Sequence, residues 1–595
     1  MRDNSGIGFK KYTGELLLFL MLMVYIFLRA IFVPPLHDEV VTFFNYIETG
    51  NIINDSAVVD ANNHLLNSFL SRLSYLLFGE QLWAYRLPNS LSFVVYFWSI
   101  VGILRVIKSN IIYWVALTAL NSIPFVLEYF AMTRGYGLGM AFMLLSIYLL
   151  IKWIQHDKYL FLIICLAAAW LSAFANLIFI NSYSLLIFYL VLVLLERRKL
   201  MKYSVLKINI LIIGGATITF IPLVVFAFLL KNAGALYYGS LNGFWEVTGK
   251  SLSGHVFFST NEIIKWILFI LVSAITIWGI RYWIVHKWRK TLLSPAIILS
   301  FFFVGNIFVT LLLALLFKVN YPEDRAGIHF VFFFLLSLVF LLDHLSVQYF
   351  SVLLLFFPIT FLWTLNFSKT IVTPDQALSS EFYHEIRRSL ESGERIQMYP
   401  TQSLIWSYYE RSQKDKIIVD VARKVDTIME KVITRKPFYD PAQHFGFDAI
   451  GFDDLTADYI LANRRKWNQS LALSSNFDGN YQPGRHLLSD YEIQHSSVID
   501  IHLNSEVHLE GENYVIFEIK CFDQKGQQVC FKYIPMGWYY GINRLAYSME
   551  YNTAVNSFDG EIKRVKVYLI NNAEKEIYIR KSSIQFSILQ QLTLD

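Results

Sequence analysis

Residues 13–39 read TGELLLFLMLMVYIFLRAIFVPPLHDE. Between Leu16 and Val33 only Arg29 is charged. A helix needs about 20 mostly apolar residues to cross the hydrocarbon core of a bilayer. The run is too long for the apolar part of a secretory leader, and no small-x-small cleavage site follows it, so it reads as a retained first span. It ends in Pro34-Pro35-Leu36-His37, and two adjacent acids, Asp38 and Glu39, follow at the membrane surface.

Ten further apolar runs lie at 88–106, 111–130, 136–154, 159–175, 177–195, 206–230, 262–284, 291–317, 327–343 and 346–367. The expectation is a polytopic α-helical membrane protein with about eleven transmembrane helices. Composition agrees. Of the 595 residues 55% are hydrophobic and only 16% charged, with a mean hydropathy of +0.44. A soluble globular domain carries about 25% charged residues. Aromatics reach 17%, which suits lipid-embedded helices and interfacial belts.

The charge is uneven. The first 367 residues hold 41 charged side chains and the last 228 hold 56. That contrast divides the chain into a membrane domain, 1–367, and a soluble tail. The net charge of +5 makes no case for nucleic acid.

Alternate loops are basic: Arg2, Lys10 and Lys11; Arg105 and Lys108; Lys152 and Lys158; Arg197, Arg198, Lys199, Lys202 and Lys207; Arg281, Lys287, Arg289 and Lys290. The positive-inside rule puts these in the cytoplasm, with the N-terminus. Eleven spans then put the tail outside, periplasmic in a bacterial inner membrane. The first outer loop, 34–87, carries six acids and two arginines.

Within the tail, residues 368–489 alternate helical and strand-like segments, an α/β pattern. Residues 490–595 carry repeated strand-like runs with turns between, a β-sandwich pattern. Cys165 reads as packing. Cys521 and Cys530 flank a hairpin turn, Asp523–Gly526, where cross-strand neighbours could be oxidised outside the cytoplasm. No cysteine spacing suggests a metal site.

Four features on the outer side carry chemistry. The first is Asp38-Glu39, followed over Val40–Ile47 by a short interfacial helix; acids at a helix start also serve as plain caps. The second runs from Asn63-His64 through a helix-spaced stretch to Arg86-Leu87-Pro88. That stretch, His64–Leu77, is about 20 Å long and fits the membrane interface, and Arg86 could simply reach headgroups. The third is the turn Glu128…Arg134-Gly135-Tyr136, whose plain reading is a Glu128–Arg134 ion pair. The fourth is Lys318…Tyr321-Pro322-Glu323-Asp324-Arg325, with His329 beyond it. Arg325 offers a planar fork to a phosphate, and Lys318 a point charge. Ionisable groups at membrane depth are costly and usually face a cavity or a partner.

Together these residues resemble the GT-C superfamily of polytopic glycosyltransferases, in the branch holding protein O-mannosyltransferases and lipid A aminoarabinose transferases. The resemblance covers roughly residues 10–345 and rests on the order, spacing and common sidedness of weak motifs. One departure is His64-Leu65, where the family often has His-Pro. The resemblance implies a GT-C-like fold with interfacial helices in the first outer loop. It implies a polyprenyl-phosphate sugar donor, transfer with inversion, and an Asp general base that maps onto Asp38, with Glu39 beside it and Glu128 as the acid of the next outer turn. Arg325, Arg134 and Lys318 would then face the donor phosphate, and His64, Asn63, Arg86, Tyr136 and Tyr321 would position substrate. The acceptor, whether protein, lipid or glycan, does not carry over. Neither does a cofactor: a divalent metal, Mg or Mn, bridging phosphate and carboxylate is chemically compatible, but no ligand set demands one.

Two other classes compete. A transporter or lipid flippase would bring mid-span charges and inverted repeats, and few charges and no repeat are found. A non-catalytic assembly protein presenting the tail would leave the outer acids without work.

Overall fold

The structure is a computed structural model that describes residues 5–53, 60–197, 203–236, 238–258, 261–285, 294–373, 376–391, 394–421, 426, 428–435, 446–465, 467–493, 498–555, 562–573 and 575–591. Of the charges that orient the spans, Arg2, Arg198, Lys199, Lys202, Lys287, Arg289 and Lys290 lie outside the described residues. The chain divides into two compact units, Met1–Val33 with Asn45–Val372, and Pro34–Phe44 with Thr373–Asp595.

Helices α1 (Ser5–Phe32), α2 (His37–Thr42), α3 (Leu65–Phe78), α4 (Leu82–Leu104), α5 (Asn110–Asn121), α6 (Pro124–Glu128), α7 (Tyr136–His156) and α8 (Tyr159–Ala175) come first. They are followed by α9 (Ile180–Arg197), α10 (Tyr203–Asn232), α11 (Lys250–Phe257), α12 (Glu262–Val285), α13 (Pro295–Phe317), α14 (Ile328–His344) and α15 (Phe356–Trp363). All but α2 belong to the first unit.

The chain is a polytopic helical membrane protein with a strand-rich C-terminal region. Among the described residues eight helical stretches are long and apolar enough to cross a membrane, rather than eleven. The other three expected spans are shorter, Asn110–Asn121, Tyr159–Ala175 and Gln348–Trp363. Twelve residues rise only about 18 Å against a core of about 30 Å. The first of these ends early because Pro124 disfavours helix at the residue before it, and Ile123 is extended at φ −74°, ψ 112°.

The outer faces of α10 and α12 expose Leu211, Ile218, Ile221, Ile263, Ile267 and Ile270, a surface suited to lipid and not to water. Helix α3 is built inside out. Asn67, Ser71 and Ser74 are buried, with Ser71 Oγ donating to the Tyr85 carbonyl at 2.8 Å, while Leu76, Leu77 and Phe78 point outward. A helix in water does the reverse.

In the second unit α16 (Ser380–Ser389) and α17 (Pro400–Glu410) accompany a five-stranded sheet. Its strands are β1 (Ile396–Met398), β2 (Asp420–Val421), β3 (Lys431–Arg435), β4 (Phe447–Asp453) and β5 (Asp458–Asn463), in the order β2-β1-β3-β5-β4. Strand β1 runs parallel to β2 and β3, and β5 runs antiparallel to β3 and β4.

The remaining strands are β6 (Trp467–Ser475), β7 (Gly479–Tyr481), β8 (Gly484–Glu492), β9 (Val498–Leu509), β10 (Val515–Phe522), β11 (Gln528–Pro535), β12 (Ala546–Val555), β13 (Arg564–Asn571) and β14 (Ile577–Gln591). They form sheets β11-β10-β13-β8 and β12-β9-β14-β6, with β7 on β14. Tyr491 of β8 stacks on Phe586 of β14 at 5.5 Å, which places the two sheets face to face.

The boundary expected at 490 is therefore too late, since β6, β7 and β8 belong to these sheets. Polar runs such as Trp467–Ser470 hide that pairing, because it is made with β14 more than a hundred residues on. The two tail regions also share a core, with Ile428, Val432 and Leu461 packed against Ala554 and Leu589. Asp420 of β2 accepts from Thr553 Oγ1 of β12 and pairs with Lys532 of β11 at 3.0 Å. Cys521 and Cys530 face each other across β10 and β11 as free thiols. The aromatics of Met536–Tyr540 pack inward: Tyr539 is buried and Tyr540 stacks on Tyr547 at 4.2 Å.

Burial pushes the carboxyl of Asp458 up to about 7 and that of Asp426 up to about 6. Each binds its proton more tightly folded than unfolded. Their stabilisation is full below the unfolded value of about 4 and is lost as pH rises through 6 to 7. At about 1.4 kcal/mol per pKa unit, Asp458 alone accounts for about 4 kcal/mol. Thermal melts of the full chain in detergent should therefore fall from about pH 5 to pH 8, with a shallower fall in Asp458→Asn. Parallel curves for both proteins would refute this.

Candidate functional site

Six helix ends and one turn of the first unit meet around a cavity of ≈ 510 Å³. They are the starts of α3, α7 and α9, the ends of α8, α10 and α13, and the turn before α14. Its polar lining includes Asp60, Asn62, Asn63, His64, Arg134, Tyr136, Asn176, Lys231 and Arg325. Its apolar lining includes Phe220, Val224, Phe228, Val309, Leu313 and Phe317 on α10 and α13. Its size is that of a small-molecule site, about 300–1,000 Å³.

Arg134 reaches the cavity through a turn that only glycine can make. Gly135 has φ +61°, and a Cβ there would lie 2.4 Å from the Ala175 carbonyl and 2.8 Å from the His64 Cβ. The buried Arg134 donates from Nη1 to Asn62 Oδ1 at 2.8 Å. Asp60 Oδ1 accepts the Asn62 N–H at 2.8 Å, so this carboxylate shapes the entry to α3. Asn63 donates to the Ile52 carbonyl at 2.8 Å and accepts from Ser68 Oγ at 3.1 Å, closing the first turn of α3. The His64 ring meets Tyr136 edge-on at 5.3 Å. Asn176 is 2% exposed; its Oδ1 accepts the Ile178 N–H at 3.2 Å, while its Nδ2 has no acceptor. A buried amide donor left this way costs about 1–3 kcal/mol, which a ligand oxygen would recover. Arg325 lies over the Tyr238 ring at 5.2 Å. Among the described lining residues three cations, Arg134, Lys231 and Arg325, accompany one carboxylate, a balance that favours an anion.

Several sequence-predicted residues lie elsewhere in the first unit. Glu128 is buried beside Arg29, at 3.5 Å, and not beside Arg134. It accepts from the Thr370 hydroxyl and from the Ile371 N–H at 2.9 Å. Arg86 is fully buried and donates to the carbonyls of Ala30, 3.2 Å, and Val33, 2.7 Å. It closes the end of α1, whose last carbonyls have no helical partner, and does not reach headgroups. Tyr321 packs with Val247 and Ala314, and its N–H donates to Ser240. Lys318 is exposed at the end of α13 with φ +54°. His329 is buried against Phe179, 6.1 Å, and Phe330.

Asp38 and Glu39 belong to the second unit. Their helix α2 is held there by Phe43 against Tyr408, 5.4 Å, by Phe44 against Trp538, 6.0 Å, and by Arg411 over both phenylalanines. Glu39 is fully buried, and its Oε2 accepts the Leu36 N–H at 3.2 Å. Asp38 Oδ1 lies 3.4 Å from His37 Nδ1, and its side chain keeps 13% exposure.

Glu128→Ala leaves Arg29 buried without its counter-charge, so stability should fall by about 3–5 kcal/mol. A melt that matches wild type while turnover disappears would instead make Glu128 a reacting group.

Asp60, Asn62, Asn176, Lys231 and Tyr238 were not singled out from the sequence. Asn176 had a signal, since it falls at the break between two apolar runs, and Lys231 follows directly on another. Asp60 and Asn62 had only their place in the acidic first loop.

Among the described residues no group of three or more His, Cys, Asp or Glu side chains could hold a metal ion. No protein-family model and no curated protein matches the chain. Solved structures do. One of ArnT from Cupriavidus metallidurans bound to undecaprenyl phosphate is 14% identical, covering 76% of this chain and 98% of that one, at a TM-score of 0.40. ArnT in the apo state is 12% identical over the same shares, at 0.35. The infectious bursal disease virus VP2 subviral particle is 12% identical over 24% of this chain and 37% of that one, at 0.17.

Proposed function

We propose that the chain is an integral-membrane glycosyltransferase that takes its sugar from a polyprenyl-phosphate donor. The observation that carries this reading is the cavity itself, whose lining combines the cations Arg134, Arg325 and Lys231 with apolar side chains of α10 and α13. A ligand that suits both has an anionic head on a hydrocarbon chain.

A sugar phosphate is already activated. The acceptor hydroxyl attacks the anomeric carbon with inversion, the C–O bond to phosphate breaks, and lipid phosphate leaves with the bonding pair. Guanidinium groups stabilise the charge gained by that leaving group, and holding donor and acceptor in line lowers the barrier further. The acceptor proton goes to a carboxylate, assigned to Asp38 on the family resemblance. Positive-inside loops support a cytoplasmic N-terminus and transfer on the opposite face of a bacterial inner membrane. Among the described residues the cavity offers one carboxylate, Asp60, to a bridging Mg or Mn ion, and no step in this reading passes through one.

The test is incubation of the purified chain with radiolabelled polyprenyl-phosphate sugars and a membrane extract as acceptor source. Label should enter an extract component while lipid phosphate is released in equal amount. A chain that moves polyprenyl phosphate between leaflets of a vesicle, but transfers no sugar across a broad donor panel, is a flippase. One that binds no polyprenyl phosphate leaves only the assembly role.

A further inference from the structure

Arg325 is carried by a turn whose shape needs holding. Asp324, the residue before it, has φ +46°, a left-handed conformation that costs a non-glycine residue about 1–2 kcal/mol. Three bonds from two other segments keep it there. His255 Nε2 on α11 lies 2.9 Å from Asp324 Oδ1, the Tyr238 hydroxyl donates to Oδ2 at 2.8 Å, and the Asp324 N–H donates to Ser251 Oγ at 2.8 Å. Tyr238 acts twice, because its ring also lies beneath the Arg325 guanidinium.

The segment carrying Tyr238 is itself fixed. The Tyr321 N–H donates to the Ser240 carbonyl at 2.9 Å, and Asn320 Nδ2 donates to the Gly239 carbonyl at 3.0 Å. Gly239 has φ +86°, and a Cβ there would sit 2.1 Å from the Tyr321 carbonyl oxygen. His255 is pinned from the other side. Its ring stacks on Phe125 at 5.1 Å, and Phe125 belongs to α6, the short helix just before the Arg134 turn. One imidazole therefore touches both the Arg325 turn and the helix that leads into the Arg134 turn.

We propose that His255, Asp324 and Tyr238 are positioning residues that hold Arg325 against the lipid phosphate, with His255 fixing the Arg325 turn relative to the Arg134 turn. The inference rests on the reading of the cavity as a phosphate-lipid site. His255 and Asp324 are not among the cavity-lining residues, and Tyr238, which is, acts on Arg325 through its ring and on Asp324 through its hydroxyl. Without them Asp324 relaxes to an unstrained backbone conformation and Arg325 leaves the Tyr238 ring.

The test is equilibrium binding of two probes of equal chain length, a polyprenyl monophosphate and the uncharged polyprenol, to the purified full chain in lipid nanodiscs. The readout is the ratio of the two affinities. It isolates the phosphate contact, because general damage to the cavity weakens both probes alike. Tyr238→Phe keeps the ring and removes one bond to Asp324, and should lower the ratio about 3- to 10-fold. His255→Leu should lower it at least as far, whereas His255→Gln, which can still donate to Asp324, should restore most of it. Arg325→Ala is the reference and should lower it about 10- to 100-fold. If Arg325→Ala lowers the ratio while Tyr238→Phe and His255→Leu keep it at wild type, the positioning role is wrong and the cavity reading stands. If the variants weaken both probes equally, the cluster is only structural. If Arg325→Ala itself leaves the ratio unchanged, the phosphate reading fails and takes the inference with it.

Discussion

Replacing Arg134 and Arg325 together by alanine should lower affinity for a polyprenyl monophosphate by about two to four orders of magnitude, with little effect on the uncharged polyprenol. A hydrogen bond to a charged group contributes about 1.5–3 kcal/mol, and each guanidinium is expected to make at least one. Both residues line one cavity and would share one ligand, so their effects need not add. Replacing each by lysine separates charge from shape. Lysine keeps the point charge and loses the planar fork, so the double lysine variant should fall between wild type and alanine. A double alanine variant that binds the monophosphate as wild type does would remove the cavity from the reaction.

The helical half of the fold was legible because crossing a membrane is nearly a one-dimensional problem. Apolar length marks a span and basic loops mark a side, so residues far apart in sequence can be assigned to one face by counting. That reasoning grouped Asn63, His64, Arg134, Tyr136 and Arg325, and these five line a single cavity. Counting fails where length alone does not decide. Pro124 splits one expected span, and the run after Leu345 winds as an eight-residue 3₁₀ helix over Gln348–Leu355 before α15 begins.

What could not be read was the choice of partner. Glu128 invited pairing with Arg134, six residues away, yet its charge partner is Arg29, 99 residues away. Arg86 suggested a headgroup contact and instead caps α1. Both outcomes follow from burial, since a charge without water takes whatever group the packing of helices brings to it. The same holds for Pro34–Phe44. The acids at 38 and 39 drew attention, whereas the adjacent Phe43 and Phe44 decide which unit the segment joins, through Tyr408, Arg411 and Trp538.

The second large effect separates those two acids. Asp38→Asn should reduce sugar transfer by about 10²–10⁴-fold, the usual contribution of a general base, with no change in melting temperature. Asparagine keeps the shape of the side chain and removes its basicity. Glu39→Gln should do the opposite. Its carboxylate is fully buried and closes the start of α2 through the Leu36 N–H, so losing the charge should cost stability on the order of 1 kcal/mol and leave turnover near wild type. The two acids are neighbours on a helix of six residues, which makes each variant the control for the other. If Glu39→Gln abolishes transfer and Asp38→Asn does not, the base moves by one residue. If both retain transfer, the remaining candidate is Asp60, the one carboxylate lining the cavity among the described residues. Asp60→Asn would then be the variant that stops the reaction.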